Sequence, residues 1–162
     1  MHRATVVIIH DPITDRIVLG RKKRGPFGAK LMPPGGKIEH GQSAHECAVL
    51  ETKDETGLIV DMRHLEQVGF FASSLSGEPQ FAVDVFRTSA FTGELLPETI
   101  EMYPAWYEST RLPFDEMLPS DRLWLPDAIK GISFVGSFEF GSDYSDLTNL
   151  HIKRSTKRPS FP

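Results

Sequence analysis

The sequence predicts a mixed α/β sandwich folded as one domain, and three observations predict it. A β-branched, apolar run at residues 5–10 reads as a buried strand. Residues 43–57 read as a helix with both ends marked. Around and after that helix, strand-like runs alternate with turn signals at Asp11-Pro12, Ser76-Gly77-Glu78-Pro79 and Thr92-Gly93-Glu94. That is the interspersion expected of a sheet covered by helices. No repeat or linker breaks the chain, so residues 1–150 are expected to form a single domain. Residues 151–162 are expected to be a basic, polar tail that frays.

Taken in order, the strand at 5–10 turns at Asp11-Pro12, and Asp15 leads into a second strand at 16–21. A basic run follows, Arg21-Lys22-Lys23-Arg24, and then Gly25-Pro26-Phe27-Gly28. Alone, such a run is a solvated loop. Just upstream of a glycine loop and an acidic helix it is placed to neutralise a polyphosphate, with Lys22 or Lys23 as the candidate. Pro33 and Pro34 fix an extended entry into Gly35-Gly36, where missing side chains let the backbone approach a ligand closely. No Gly-Lys-Ser/Thr follows, so this is not a Walker loop. Ser43 is a good N-cap, Glu46 three residues on completes a capping box, and Gly57 is a good stop. Strands are then expected at 58–60, 65–72, 81–88, 105–107 and 132–140. A helix is expected near 122–130, with Pro126 in its first turn.

The end of the first helix carries Glu51, Asp54 and Glu55, which share one face at 3.6 residues per turn. Glu51 and Glu55 repel as an i,i+4 pair, and all three acids lie at the helix end where the dipole disfavours negative charge. Each penalty is about a few tenths of a kcal/mol, but all have one sign. A divalent cation would reverse them, and hard oxygen donors on one face suit Mg²⁺ or Mn²⁺. The plain alternative, a solvated acidic helix end, stands at even weight on the acids alone.

Composition narrows the function classes. The net charge of −4 argues against general nucleic-acid or membrane-surface binding. The single cysteine, Cys47, excludes an intrachain disulfide and fits a reducing compartment. It falls among Ala44 and Ala48 on the helix and reads as a packed core residue. The apolar run at 6–9 is too short for a signal peptide, and no stretch approaches the length of a membrane span. A cytoplasmic protein is expected. The six histidines show no metal-ligand spacing, and His40 and His45 read as surface residues.

From Gly36 onward the spacing resembles the Nudix box, Gly-x5-Glu-x7-Arg-Glu-apolar-x-Glu-Glu-x-Gly-apolar. Gly36, Glu51, Glu55, Gly57 and Leu58 match it, and Asp54 stands in for a glutamate. Gln42 replaces the first glutamate, Leu50 the arginine and Thr52 the apolar residue. The resemblance extends over residues 5–140, to the branch of oxidized purine nucleoside triphosphate hydrolases. It is carried by Val18-Leu19-Gly20-Arg21-Lys22-Lys23-Arg24-Gly25, Gly77-Glu78-Pro79, Glu101-Met102-Tyr103-Pro104-Ala105-Trp106-Tyr107, the stretch at 112–121, and Phe134-Val135-Gly136-Ser137-Phe138-Glu139-Phe140.

The resemblance implies an α/β/α sandwich with a mixed sheet and a loop–helix–loop metal and diphosphate motif. It implies a pyrophosphohydrolase, with Mg²⁺ or Mn²⁺ as cofactor, cleaving a nucleoside triphosphate to monophosphate and pyrophosphate. Oxidized purine nucleotides are among the candidate substrates. Glu51, Asp54, Glu55 and Glu101, with the Gly36 carbonyl, would hold metal, and Glu55 and Glu101 both stay open as the general base. The base pocket would take Thr5, Phe27, Met32, Leu118, Ser120 and Asp121. Met32 stands where an asparagine is expected, Ser120 where an aspartate is, Leu118 where a tryptophan is, and Ser73 and Leu75 at the pocket phenylalanines. Trp106 and Trp124 read as core. Losing base-reading partners predicts weak or altered preference for oxidized guanine. Two other readings follow: a Nudix hydrolase of a dinucleoside polyphosphate, nucleotide sugar or capped RNA end, and a nucleotide-binding module weakened in catalysis. No stable nucleic-acid partner and no membrane are expected.

Overall fold

The computed structural model describes residues 1–157 and 159–162. Strands β1 (His2–Asp11), β2 (Arg16–Lys22), β3 (Leu31–Met32) and β4 (Gly35–Lys37) precede helix α1 (Ala44–Thr56). Then come β5 (Ile59–Val60), β6 (Glu66–Leu75), β7 (Glu78–Thr88), β8 (Phe91–Thr92) and β9 (Met102–Glu108). Helix α2 (Asp121–Ile129), β10 (Ser133–Phe140) and β11 (Leu147–Ser155) complete the chain. One mixed sheet runs β11-β10-β6-β7-β1-β2-β3, with β4 also on β1 and β9 also on β2. The pairs β1–β7 and β10–β6 are parallel. A small second sheet joins β5 to β8.

The continuous apolar character of β1 follows from burial on both faces. Val7 and Ile9 pack with Val18, Ala48, Leu58 and Phe86 on the α1 side. Ala4 and Ile8 pack with Val83, Val85, Trp124, Leu125 and Phe134 on the α2 side. The helices therefore lie on opposite faces, giving the expected α/β/α sandwich.

Helix α1 is capped as its sequence predicts. Glu46 N–H donates to Ser43 Oγ, Ser43 N–H donates to the Glu46 carboxylate, and Gly57 at φ 81° closes the C-terminus with its N–H on Lys53 O. Two expectations need correction. Pro126 lies inside α2 rather than in its first turn. The chain beyond 151 does not fray at once: β11 pairs antiparallel along β10, and Arg154 binds Asp127 (2.5 Å) and Leu123 O (2.7 Å) of α2. Its backbone bonds and that anchor hold a strand whose side chains are mostly exposed. Arg158, counted in the basic tail, lies outside the described residues. Among the described residues no helix is long and apolar enough to cross a membrane.

Candidate active site

The glycine pair does something other than leave room for a ligand. A Cβ on Gly35 would stand 2.0 Å from Thr5 O, backbone against backbone, and one on Gly36 would stand 2.5 Å from the Glu51 carboxyl carbon. Neither glycine has positive φ, so space alone selects them. Their bareness lets β4 pair with β1 (Thr5↔Gly36, Val6↔Gly35) while α1 presses its acids onto the loop. Cys47 is buried here, with Sγ 3.6 Å from Gly36 O and accepting from Thr5 Oγ1 at 3.4 Å, which is the packed role its sequence setting predicts. Gly35→Ala is expected to cost about 1–3 kcal/mol, because the obstructing atom is a main-chain carbonyl that cannot rotate away. Urea unfolding checks this; an unchanged midpoint would mean that β4 can yield.

The three helix acids share a face but not an environment. Glu55 is 1% exposed; Oε1 accepts from Gly35 N–H (2.8 Å) and Oε2 from Lys22 Nζ (2.9 Å). Burial pushes its carboxyl upward, and the Lys22 ammonium opposes that. Glu51 is half-buried, and burial, followed by the charges of Glu55 and Asp54, pushes it up to about 7. Asp54 is exposed. Glu101 enters from the loop before β9 and is bound by the Arg24 guanidinium, which holds its carboxyl below the usual range.

The basic run is thus partnered rather than solvated. Arg21 reaches Glu116 and Ala29 O, Lys22 reaches Glu55, Lys23 reaches Glu98 and lies over the Tyr103 ring, and Arg24 reaches Glu101. Lys23 N–H also donates to Glu101 O at 3.0 Å, tying the two loops together. The departures from the box have local explanations. Gln42 Oε1 accepts from Glu39 N–H (3.0 Å), bracing the loop without a charge. Leu50 is exposed, and Thr52 is buried with a hydroxyl that finds no partner among the described residues.

The donor set suits a hard divalent cation in its chemistry. All are carboxylates with one adjacent main-chain carbonyl, and Glu51 is crowded by acids on the same helix. The five candidate ligands are not drawn into one cluster: among the described residues no three His, Cys, Asp or Glu side chains stand at metal-holding spacing. Glu51 and Glu55 meet at the Gly35-Gly36 loop, Asp54 stays at the surface, and Glu101 is on Arg24.

The base-pocket candidates divide between the faces of the sheet. Thr5 points to the α1 side, onto Cys47. Asp121 opens α2 on the other side, 4% exposed; Oδ1 accepts from Trp124 Nε1 (3.2 Å), while Oδ2 is buried with no partner among the described residues. Burial pushes this carboxyl up to about 7. Ser120 and Leu118 are buried beside it, and Leu118 O accepts from Asp121 N–H. Met32, on β3, is half-buried. Phe27 is half-buried against Phe81 (5.8 Å) and Tyr144 (4.7 Å). Neither Phe81 nor Tyr144 was singled out by the sequence. Trp124 is core, as expected, whereas Trp106 is only partly buried, between Phe91 and Arg16. His45, read as a surface residue, packs on Phe86.

Comparison with known proteins places the same stretches in context. The family described as NUDIX domain matches residues 1–128. The chain is 34% identical over 137 residues to the oxidized purine nucleoside triphosphate hydrolases of Danio rerio and Mus musculus, covering 84% of this chain and 85% of each relative. Its fold is similar to that of the crystal structure of the mutator MutT protein from Bacillus halodurans. The TM-score is 0.81 at 24% identity, covering 94% of this chain and 97% of that one.

Proposed function

The chain belongs to the Nudix family of hydrolases, and from that premise we propose that it is a Mg²⁺- or Mn²⁺-dependent pyrophosphohydrolase of nucleoside triphosphates, oxidized purine forms among them. The observation that carries the reading is Glu55, a buried carboxylate fixed by a main-chain N–H and by Lys22, beside a second carboxylate pushed up to about 7. Burying two acids together is costly unless cationic chemistry uses them. The names of the Danio and Mus relatives support the substrate class.

Glu51, Glu55 and Glu101, with Asp54 and the Gly36 carbonyl nearby, would hold the metal. When bound it would neutralise phosphate charge and make water a better nucleophile. Glu55 is the favoured general base: burial pushes its carboxyl upward against the Lys22 ammonium, while Arg24 holds Glu101 down. Water oxygen forms the new P–O bond, its proton passes to Glu55, and the bridging P–O bond breaks to release pyrophosphate. Lys22 and Lys23 stand at the acids' edge, where the outer phosphates would lie. Phe27, Met32, Leu118, Ser120 and Asp121 are the nucleoside-side residues of this reading, while Thr5, matched to the same pocket by sequence, faces α1 and Cys47. A cytoplasmic setting is part of the reading, supported by the single reduced thiol Cys47.

Met32, Leu118 and Ser120 favour a second reading, a Nudix hydrolase of another phosphoanhydride, since none is the residue expected to read an oxidized guanine. Phosphate and pyrophosphate release with Mg²⁺ or Mn²⁺ decides between them. The panel is ordinary and oxidized dNTPs, dinucleoside polyphosphates, nucleotide sugars and capped RNA. The expected result is turnover of a triphosphate that chelator abolishes. Turnover confined to another class would establish the second reading, and no turnover in folded protein would leave a binding module.

A further inference from the structure

The β10–β11 loop, residues 141–146, is exposed at Ser142, Asp143, Ser145 and Asp146, yet Tyr144 turns inward from it. Its ring lies 4.7 Å from Phe27 and 5.2 Å from Phe140, and it packs on the α2-side cluster that contains Trp124, the partner of Asp121. The loop is built to hold it there. Gly141 N–H donates to Asp146 O (2.8 Å), Asp143 Oδ1 accepts from Ser145 N–H (2.8 Å), and Ser76 Oγ donates to Gly141 O (2.9 Å).

Phe140 stands opposite Leu75 in the β10–β6 register, so Tyr144 sits above the strand end where Ser73 and Leu75 supply no aromatic surface. Phe27 and Phe81 extend this row of rings, with the His2 ring against Phe81, on the face where Asp121 keeps a buried oxygen without a partner among the described residues. Aromatic rings gathered on the face that also carries the buried Asp121 carboxyl suit a planar heterocycle with polar edges.

We propose that Tyr144 is a specificity-determining residue, the aromatic wall against which the substrate's base packs, supplied by the β10–β11 loop in place of β6. This rests on the nucleotide reading above, and equilibrium binding separates the two. Titration calorimetry would follow dGMP and dAMP, and inorganic pyrophosphate as the base-free probe, on the wild-type chain, Tyr144→Ala and Tyr144→Phe. Tyr144→Ala is expected to weaken monophosphate binding by about tenfold, in the range of one lost base–aromatic contact, and to leave pyrophosphate binding unchanged. Tyr144→Phe is expected to restore it, because the hydroxyl takes no hydrogen bond among the described residues. In turnover, KM rises by about the same factor while kcat stays within about twofold.

Equal binding by Tyr144→Ala, tighter binding, or a parallel loss for pyrophosphate would overturn the assignment, as would a Phe variant that behaves like Ala. A wild-type chain that binds monophosphates through Tyr144 but hydrolyses no triphosphate would sink the proposed function and leave Tyr144 standing. One that binds no nucleotide would sink both.

Discussion

Glu55→Gln is expected to lower turnover by roughly 10²–10⁴-fold, the span associated with a positioned acid or base, while the protein stays folded. The amide is nearly isosteric, so its oxygen can still accept from Gly35 N–H and keep β4 against α1. What disappears is the charge. The amide cannot take a proton from water, and it offers the metal one weaker donor. Stability should change little, because burial already works against the carboxylate there and Lys22, partly exposed, can carry its charge toward solvent. Steady-state kinetics with a matched thermal melt checks both halves. Turnover within fivefold of wild type, at an unchanged melting point, would move the base to another group, with Glu101 next in line.

Asp121→Asn is expected to stabilise the protein at alkaline pH and to do almost nothing in acid. Burial pushes the folded carboxyl up to about 7 from its ordinary 3.8, so the folded state holds a proton that the unfolded state has released across that window. The associated stability is fully present below pH 3.8 and lost as pH rises through about 7. At full ionisation the loss is on the order of 4 kcal/mol by linkage, and cavity water or local relaxation would reduce it. An Asn carries no such term, and its oxygen can still accept from Trp124 Nε1. Glu51 titrates in the same direction but is common to both proteins, so the difference between them isolates Asp121. Urea unfolding at pH 4, 6 and 8 is the measurement. Two parallel stability curves would show that Asp121 is ionised in the folded protein across the range.

Where local chemistry decides, the sequence anticipates the structure well. Ser43, Glu46 and Gly57 set the ends of α1 through bonds within a few residues, and the double-sided apolar run marks β1 as central. Strand β11 escaped because an edge strand with exposed side chains needs no apolar alternation; its evidence is the backbone ladder on β10 and the reach of Arg154 to α2. The shared face of Glu51, Asp54 and Glu55 could be read from spacing, but not their unequal burial, which depends on where β4 lies. Likewise the basic run could be seen, but not the pairing of each cation with a separate acid, which draws on the segment before α2, on α1 and on the loop before β9. Tyr144 and Phe81 were invisible for a related reason. A lone aromatic in a polar loop and another in an alternating strand become neighbours only through the register of β6, β7 and β10.

The parallel pairing of β1 with β7 also sets a schedule for synthesis. β1 is made before the strands it pairs with, and β2 and β4 can close on it early, but its parallel partner residues follow about 80 residues later, a non-local contact of the slow kind. At about 5–20 residues per second, this strand, buried on both faces in the finished fold, waits several seconds with one edge unpaired. Gly35 and Glu55 are both made within that interval, so their contact can form on a half-sheet before the strand that buries the other side of β1 exists. During those seconds a nascent chain is most exposed to mispairing, and a chaperone that shields β1 would act before residue 88 leaves the ribosome.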